Sequence, residues 1–573
     1  MVHASRQRAT GRPAGSSRRS SGDRRRGGVA LRACAWCLAL LAGSAWSQDL
    51  SSVDAALQPA TAASAPAAAA SQPANLPPRL SLEVRAAATN NGGVDDNGAR
   101  QGDFITSLRP ALDVTHTGAG FSADVHAAAT LIDYAKSSQR NGVLPDVRGS
   151  MGATLVEHWL KIDAAGYLRA AEADPFGVRT DEVAAGDRRN DWGVLAGPTL
   201  QHDFGPQSSI VARHQFGVTR AAASTTATTS DDQGRLDTNL TLVRFERKPT
   251  PLGMSAELTR LDNRSTSDLG DSRYTLTTGR LRGTLLVGGE LSVGALVGQD
   301  RSDYLLSSHV DPLYGVAFDW TPGRRTHLEL EVEHRYFGES GRLHLEHRTP
   351  FLTIAIDARR EPLDATSSFG TLGQGVDLRS ALDSILTTRF PDPAARAGVV
   401  DAIVASRGLD TRSAGAVNLV GDYPQLQTAA QASFTLLGVR DTLSLSAYAL
   451  TTRALTRDGD PLAGLASATA DNRQRGATFQ LEHRLGAQLS AVLLGTWSKI
   501  QGLGASTEHS EEQAWRISLL DHLSRRSDLT VALQWNRFET TAAGLRSFDA
   551  TLDRKSTRLN SSHLRRSRMP SSA

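Results

Sequence analysis

From Arg79 onward the chain alternates apolar and polar side chains with a period of two, in runs of about 9 to 12 residues separated by Gly-rich or polar reversals. The clearest instance is VAFDWTPGRRTHLELEVEHRYFGESGRLHLEHRTPFLTIAIDAR. Leu328, Leu330 and Val332 point one way there, and Glu329, Glu331, Glu333 and Arg335 the other. The next run sets Leu343 and Leu345 against Arg342, His344, Glu346 and Arg348. Thr-Pro-Gly at 321–323 and Gly-Glu-Ser-Gly at 338–341 supply the predicted chain reversals.

The same signature recurs along the chain. FITSLRPALDVTH and FSADVHAAATLIDY flank a reversal at Thr117 to Gly120, LAGPTLQHDF and SSIVARHQFGV flank one at Gly205 to Gln207, and ATFQLEHRL is followed by QLSAVLLGTW. A soluble sandwich turns such apolar rows inward, whereas a membrane barrel turns them to lipid and the charges to a wet lumen. Three features favour the barrel: an export signal, runs longer than the ~5–6 residues usual in soluble sheets, and a hairpin series too long for one sandwich. The predicted fold is all-β, a transmembrane antiparallel up-and-down β-barrel of roughly 18–22 strands. Trp159, Trp320, Tyr336, Phe337, Trp497 and Trp535 stand near run ends, as candidates for aromatic girdles at the membrane interfaces.

One stretch, within 361–425, has a helical period instead. Leu378, Leu382 and Leu386 are four apart, Asp392-Pro393 reads as an N-cap followed by proline at the first helical position, and Gly408 reads as a stop. Two short helices are expected, serving as a plug, a lid or a docking element, or merely packing on the rim.

The ends of the chain differ from its body. Three arginines at 24–26 precede an apolar run that closes on small residues around Ala45 to Ser47, so residues 1–47 read as a secretory signal peptide. Residues 48–78, rich in Ala, Pro and Ser, read as a disordered linker. Both cysteines, Cys34 and Cys37, fall in the signal, so their spacing carries no metal or redox meaning in the mature chain. The overall charge of +3 is dominated by the ends: residues 1–47 hold nine Arg and one Asp, and residues 553–573 hold five Arg, one Lys and one Asp, leaving the body at −10. An acidic body argues against a nucleic-acid partner.

Candidate chemistry is sparse. In a strand His344 and Glu346 share a face and His347 takes the other, so these three cannot converge on a metal ion. Gly270-Asp271-Ser272 resembles a lipase nucleophile motif but is expected in a polar turn without a partner His. No catalytic, cofactor-binding or metal residue is therefore assigned. The candidate site is the lumen wall: Glu329, Glu331, Glu333, Arg335, Arg342, His344, Glu346 and Arg348. Their mixed signs suit neutralisation across strands.

The stretch WTPGRRTHLELEVEHRYFG resembles the outer-membrane β-barrel family associated with PEP-CTERM/exosortase systems. The matching residues are Trp320, Pro322, Arg325 and Thr326, followed by Arg335 to Gly338. GPTLQHDFGPQSSIVARHQFGV, the two-helix insert followed by QASFTLLGVRDTLSLSAY, and the closing hairpins extend the likeness over most of 79–552. The resemblance implies an outer-membrane location and a link to exopolysaccharide and protein-sorting loci, and brings no catalytic residues. The expected function is that of a non-enzymatic barrel assisting exopolysaccharide export or surface assembly, in contact with outer-membrane lipid and PEP-CTERM export machinery. A general diffusion porin and an outer-membrane esterase are the alternatives. The basic tail has a different origin in this reading. Asp553 to His563 and Ser567 to Ala573 match the in-frame translation of a widely used sequencing adapter, with Leu564 to Arg566 as its variable index, so the native product is expected to be truncated near Leu552.

Overall fold

The computed structural model describes residues 78–560 except the connecting segments 92–100, 119, 137–140, 173–175, 177–187, 223–232, 268–269, 305–306, 364–377, 411–424, 456–470, 504–507, 525–526 and 542–545. The signal and linker readings lie outside the described residues. The first half of the sheet comprises β1 (Arg79–Thr89), β2 (Asp103–Thr117), β3 (Phe121–Tyr134), β4 (Gly142–Val156), β5 (Leu160–Glu172), β6 (Arg188–Phe204), β7 (Ser208–Ala222), β8 (Gln233–Arg247), β9 (Leu252–Ser267), β10 (Gly270–Val287) and β11 (Leu291–Tyr304). The second comprises β12 (Ser307–Trp320), β13 (Thr326–Arg335), β14 (Gly338–Arg348), β15 (Leu352–Leu363), β16 (Gln425–Leu437), β17 (Asp441–Ala454), β18 (Asn472–Arg484), β19 (Leu489–Gly502), β20 (His509–Ser524), β21 (Ser527–Thr540) and β22 (Arg546–Asn560). Helices α1 (Leu378–Leu386) and α2 (Pro393–Arg407) lie between β15 and β16.

Each strand pairs antiparallel with its sequence neighbours, and β1 pairs with β22 from Leu80↔Asn560 to Thr89↔Thr551, closing a 22-stranded barrel. Closure removes the sheet edge, which hydrocarbon requires because it offers no partner for free backbone groups. The last strand does not stop at Leu552. Residues 553–560 continue the ladder with β1 and β21, in a stretch without alternation, because pairing is a property of the backbone.

The connections sort by rim. At the rim where β1 begins they run from two residues, 525–526, to five, 321–325; at the other they range up to the 61 residues of 364–424. Short turns mark the periplasmic rim and long loops the extracellular one. The insert therefore leaves the wall from the extracellular side.

Side-chain parity follows the sequence. Val316, Phe318 and Trp320 of β12 oppose Val332, Leu330 and Leu328 of β13 on the outer face, while Glu329, Glu331 and Glu333 turn inward. Val316 is 62% exposed and Glu333 only 4%, the inverse of a soluble protein. Phe121, Trp159, Phe204, Trp320 and Phe351 form an exposed aromatic ring at the periplasmic rim. Phe216, Trp497 and Trp535, each the ninth residue of its strand, and Trp515 mark a partial second ring, three of them on β19–β21. The two rings are separated by roughly 20 Å, from eight residues at 3.3 Å tilted about 40°, close to the ~25 Å apolar band of outer-membrane barrels. Tyr336 and Phe337 do not join either ring. The reversal between β13 and β14 falls on these two residues, earlier than the 338–341 turn expected from sequence, and its tip bends into the lumen.

Leu330 sits mid-band on the outer face. Leu330→Arg is expected to cost about 2–4 kcal/mol in lipid vesicles, read from urea unfolding; an unchanged midpoint would mean this face does not meet hydrocarbon.

Candidate functional site

The inner wall from β8 to β16 carries an ionic lattice. Arg280 of β10 bonds Glu257 of β9 at 3.0 Å and reaches over β11 and β12 to Glu331 and Glu333 of β13 at 3.0 and 2.8 Å. Arg282 adds a contact to Glu331 at 3.3 Å, and Arg244 of β8 one to Glu257 at 2.7 Å. The long reach depends on two inward positions without side chains. A Cβ on Gly298 would lie 2.2 Å from Gly279 O, and one on Gly315 2.3 Å from Val332 O, so only glycine fits between Arg280 and the glutamates. Arg335 bonds Asp300 at 2.8 and 2.9 Å, and Asp300, fully buried, also accepts from Thr278. His344 bonds Asp357 of β15, Arg342 lies 3.9 Å from Glu329, and Arg359 bonds Gln427 of β16. The neutralisation expected within one hairpin is thus mostly supplied from strands further round the wall.

The wall is not uniformly polar. Leu240, Leu261, Leu276 and Tyr274 of β8–β10 form a buried inward cluster, against which Tyr304 and Tyr336 pack. The Tyr336 hydroxyl meets that of Tyr274 at 2.7 Å. Burial, then this neighbour, pushes the Tyr336 phenol well above its ordinary range. Arg335, Tyr336, Phe337 and Gly338 thereby act as one inward-turned tip: the guanidinium lies 5.5 Å from the Phe337 ring centroid, and Gly338 takes the φ of 95° that closes the turn.

The insert occupies the opposite mouth. α1 buries Leu378, Ala381, Leu382, Ile385 and Leu386, a single stripe, against Val400 and Val404 of α2, Leu409, and Leu437 at the periplasmic end of β16. The caps are those read from sequence: Asp392 accepts from Ala395 N at 3.1 Å, Pro393 opens α2, and Gly408 ends it at φ 62°. Gly408 is packed so closely that a Cβ would lie 2.6 Å from Leu520 of β20. Polar anchors all lie on inward positions. Arg407 donates to Thr442 of β17 and Glu482 of β18 at 2.5 and 3.2 Å, and to Gly438 O at 3.2 Å. Ser384 bonds Glu346, His522 meets Ser406 O at 2.9 Å, and Arg79 lies 3.9 Å from Asp401. Arg407 and Glu482 are 8% and 0% exposed, so the anchor is a buried ion pair. These anchors stand on inward positions within five residues of the periplasmic strand ends, so the helices pack against the inner side of the periplasmic mouth.

Of the candidate wall residues, Glu329, Glu331, Glu333, Arg335, Arg342, His344 and Glu346 face the lumen. Arg348 ends at the periplasmic turn, bonded to Arg324 O at 3.0 Å. His347 faces outward and pairs with Thr326 at 2.8 Å, as strand parity requires. Gly270-Asp271-Ser272 is strand rather than turn, in register with Ser267 to Ser265. Sequence reasoning missed Arg244, Glu257, Arg280, Arg282, Asp300 and Arg407. The first five sit on alternate positions of neighbouring runs, a signal present in the pattern once the inward rows are aligned.

No protein-family model matches the chain, and no curated protein does. Solved structures similar to it include the FrpB iron transporter from Neisseria meningitidis, at 8% identity and TM-score 0.47 over 85% of this chain and 83% of that one. The siderophore receptors PirA and PiuA from Acinetobacter baumannii are each 9% identical, with TM-scores of 0.43 and 0.42, over 84% and 83% of this chain and 80% and 81% of theirs. Likeness at this level assigns nothing to the chain, and the architecture stands on its own ladder. A closed barrel of this size with an apolar outer band is a bacterial outer-membrane protein.

Arg280→Met leaves Glu333 without its cation and is expected to cost about 3 kcal/mol. The double change with Glu333→Gln should recover much of that loss; urea unfolding in vesicles reads both, and strict additivity would show that the two side chains do not interact.

Proposed function

We propose that this protein is a non-enzymatic outer-membrane conduit for hydrophilic cargo, gated at its periplasmic mouth by α1 and α2. We assign the cargo to exopolysaccharide, or to surface proteins sorted by a PEP-CTERM/exosortase system. The observation that carries the gating is the Arg407, Glu482 and Thr442 anchor, which holds the helices against the inner wall at the periplasmic mouth. The cargo class is supported by the residues resembling the PEP-CTERM-associated barrels and by a wall rich in paired charges, which presents hydrogen-bonding groups to a hydrated polymer.

A 22-stranded barrel is roughly 40–45 Å across between opposite backbones. Two helices, each about 10–12 Å wide, cover about half of that, on the side of β14 to β20 and β1 where their anchors lie. Such a gate opens by moving aside, without the barrel changing.

In planar bilayers the full-length protein is expected to conduct weakly, and a variant lacking 378–410 to conduct at least tenfold more. Arg407→Ala should raise the open fraction without altering the open conductance. A general porin would instead conduct fully with the helices in place, and that outcome would discard the gate. For the cargo, a strain lacking the protein is expected to lose surface polysaccharide; full surface display would remove the assignment.

A further inference from the structure

The outer face of β15–β20 differs from a plain lipid-facing wall. Ala432, Ala447 and Ala477 stand in register across β16, β17 and β18. The adjoining row toward the periplasm is Phe434, Leu445 and Phe479, continued by Gly495 and Trp515. Small residues beside a bulky row leave a groove of about 680 Å³, bounded by Ile354 at one end and by Trp497 and Trp515 at the other. Trp515 lies over Gly495, where a Cβ would come within 2.6 Å of its ring.

Immediately above the groove, toward the extracellular rim, the same outward rows turn basic. Arg360 is the ninth residue from the periplasmic end of its strand, Arg475 the tenth, Lys499 the eleventh, Arg473 the twelfth and Arg453 the thirteenth. That places them roughly 20–30 Å above the periplasmic rim, where hydrocarbon gives way to headgroups. The neighbouring acids each have a hydrogen-bonding partner of their own, although Glu339 also lies within electrostatic reach of Arg360 and Asp471 of Arg453. Glu511 takes Lys499 and the Trp497 indole, Glu339 meets His334, and Asp471 accepts from Ala454 N. Arg360, Arg453, Arg473 and Arg475 form no ion pair with a described residue, and Arg475 and Arg453 are exposed. Four guanidinium groups spread over roughly 10 Å of depth, none in an ion pair with a described residue, repel one another unless an anion joins them, and Arg matches phosphate oxygens in bidentate fashion.

From this geometry we infer that the outer face of β15–β20 is a binding site for one acylated, multiply phosphorylated lipid of the outer leaflet. Its acyl chains occupy the alanine-floored groove and its phosphates bridge Arg360, Arg453, Arg473 and Arg475. The site lies outside the lumen and stands or falls independently of the conduit reading.

The test uses full-length protein folded in detergent, hexa-acylated bis-phosphoryl lipid A as the probe, and native mass spectrometry as the readout. Wild type is expected to retain one molecule of the probe, and to retain dephosphorylated lipid A and phosphatidylglycerol at least tenfold more weakly. The combined variant Arg360→Gln, Arg453→Gln, Arg473→Gln and Arg475→Gln is expected to bind the probe roughly a hundredfold more weakly. Ala447→Trp, which fills the groove and leaves the charges, is expected to lose it as well. Should the combined variant not fold, Arg475→Gln alone is read against a salt series, in which wild-type affinity falls more steeply than the variant's. Undiminished retention by the folded combined variant, or equal salt slopes, overturns the site. Equal retention of phosphatidylglycerol overturns the multiply phosphorylated ligand, and undiminished retention by Ala447→Trp overturns the groove as its seat.

Discussion

Everything in this molecule depends on the absence of water in the bilayer core. A backbone amide exposed to hydrocarbon costs several kcal/mol, and a sheet avoids that only by having no edge. The pairing of β1 with β22 supplies the closure, and it makes few demands on side chains: β22 continues its hydrogen bonds through 553–560 although the alternation of the preceding strands has stopped. Closure is thus a constraint on backbone length and register, while the choice of side chains decides only which face is wet.

Freed from packing a solvent-excluded core, the inner wall can hold charge. Its ionic lattice is more than a hydrated surface, because Glu331 and Glu333 are nearly inaccessible and their cation comes from three strands away. The lattice ties β9, β10 and β13 across strands that are not direct neighbours, with Gly298 and Gly315 clearing the way. The short β13–β14 hairpin adds a second brace by tucking Tyr336 against Tyr274. Together these stiffen the sector opposite the helices, leaving the insert as the part of the lumen attached by few anchors.

The strands were legible because period-two hydrophobicity is imposed directly by lipid: Leu328, Leu330 and Val332 face outward, as their spacing requires. The helices were equally legible, since the Asp392, Pro393 and Gly408 signals act within a few residues. The wall candidates on β13 and β14 could be listed, but their partners could not, because nothing local tells Glu333 that its cation is Arg280. The tip at Tyr336 and Phe337 was misread for a related reason. Aromatic residues near a strand end suit an interface and a buried cluster alike, and the choice was made by Leu240, Leu261 and Tyr274, far away in sequence. The depth of the insert was likewise invisible, being fixed by Arg407 meeting Glu482 across 75 positions.

The insert enters from the extracellular rim yet docks at the periplasmic one. Fourteen residues of sequence separate Leu363 from Leu378, and another fourteen separate Asp410 from Gln425, so each end of the insert stays within about 50 Å of the neighbouring strand end, against a wall roughly 30 Å high. Undocked helices therefore remain captive to the extracellular rim, and from their docked position the chain length allows further travel outward than into the periplasm. The barrel is built as a tethered flap whose freedom is greater in the outward direction.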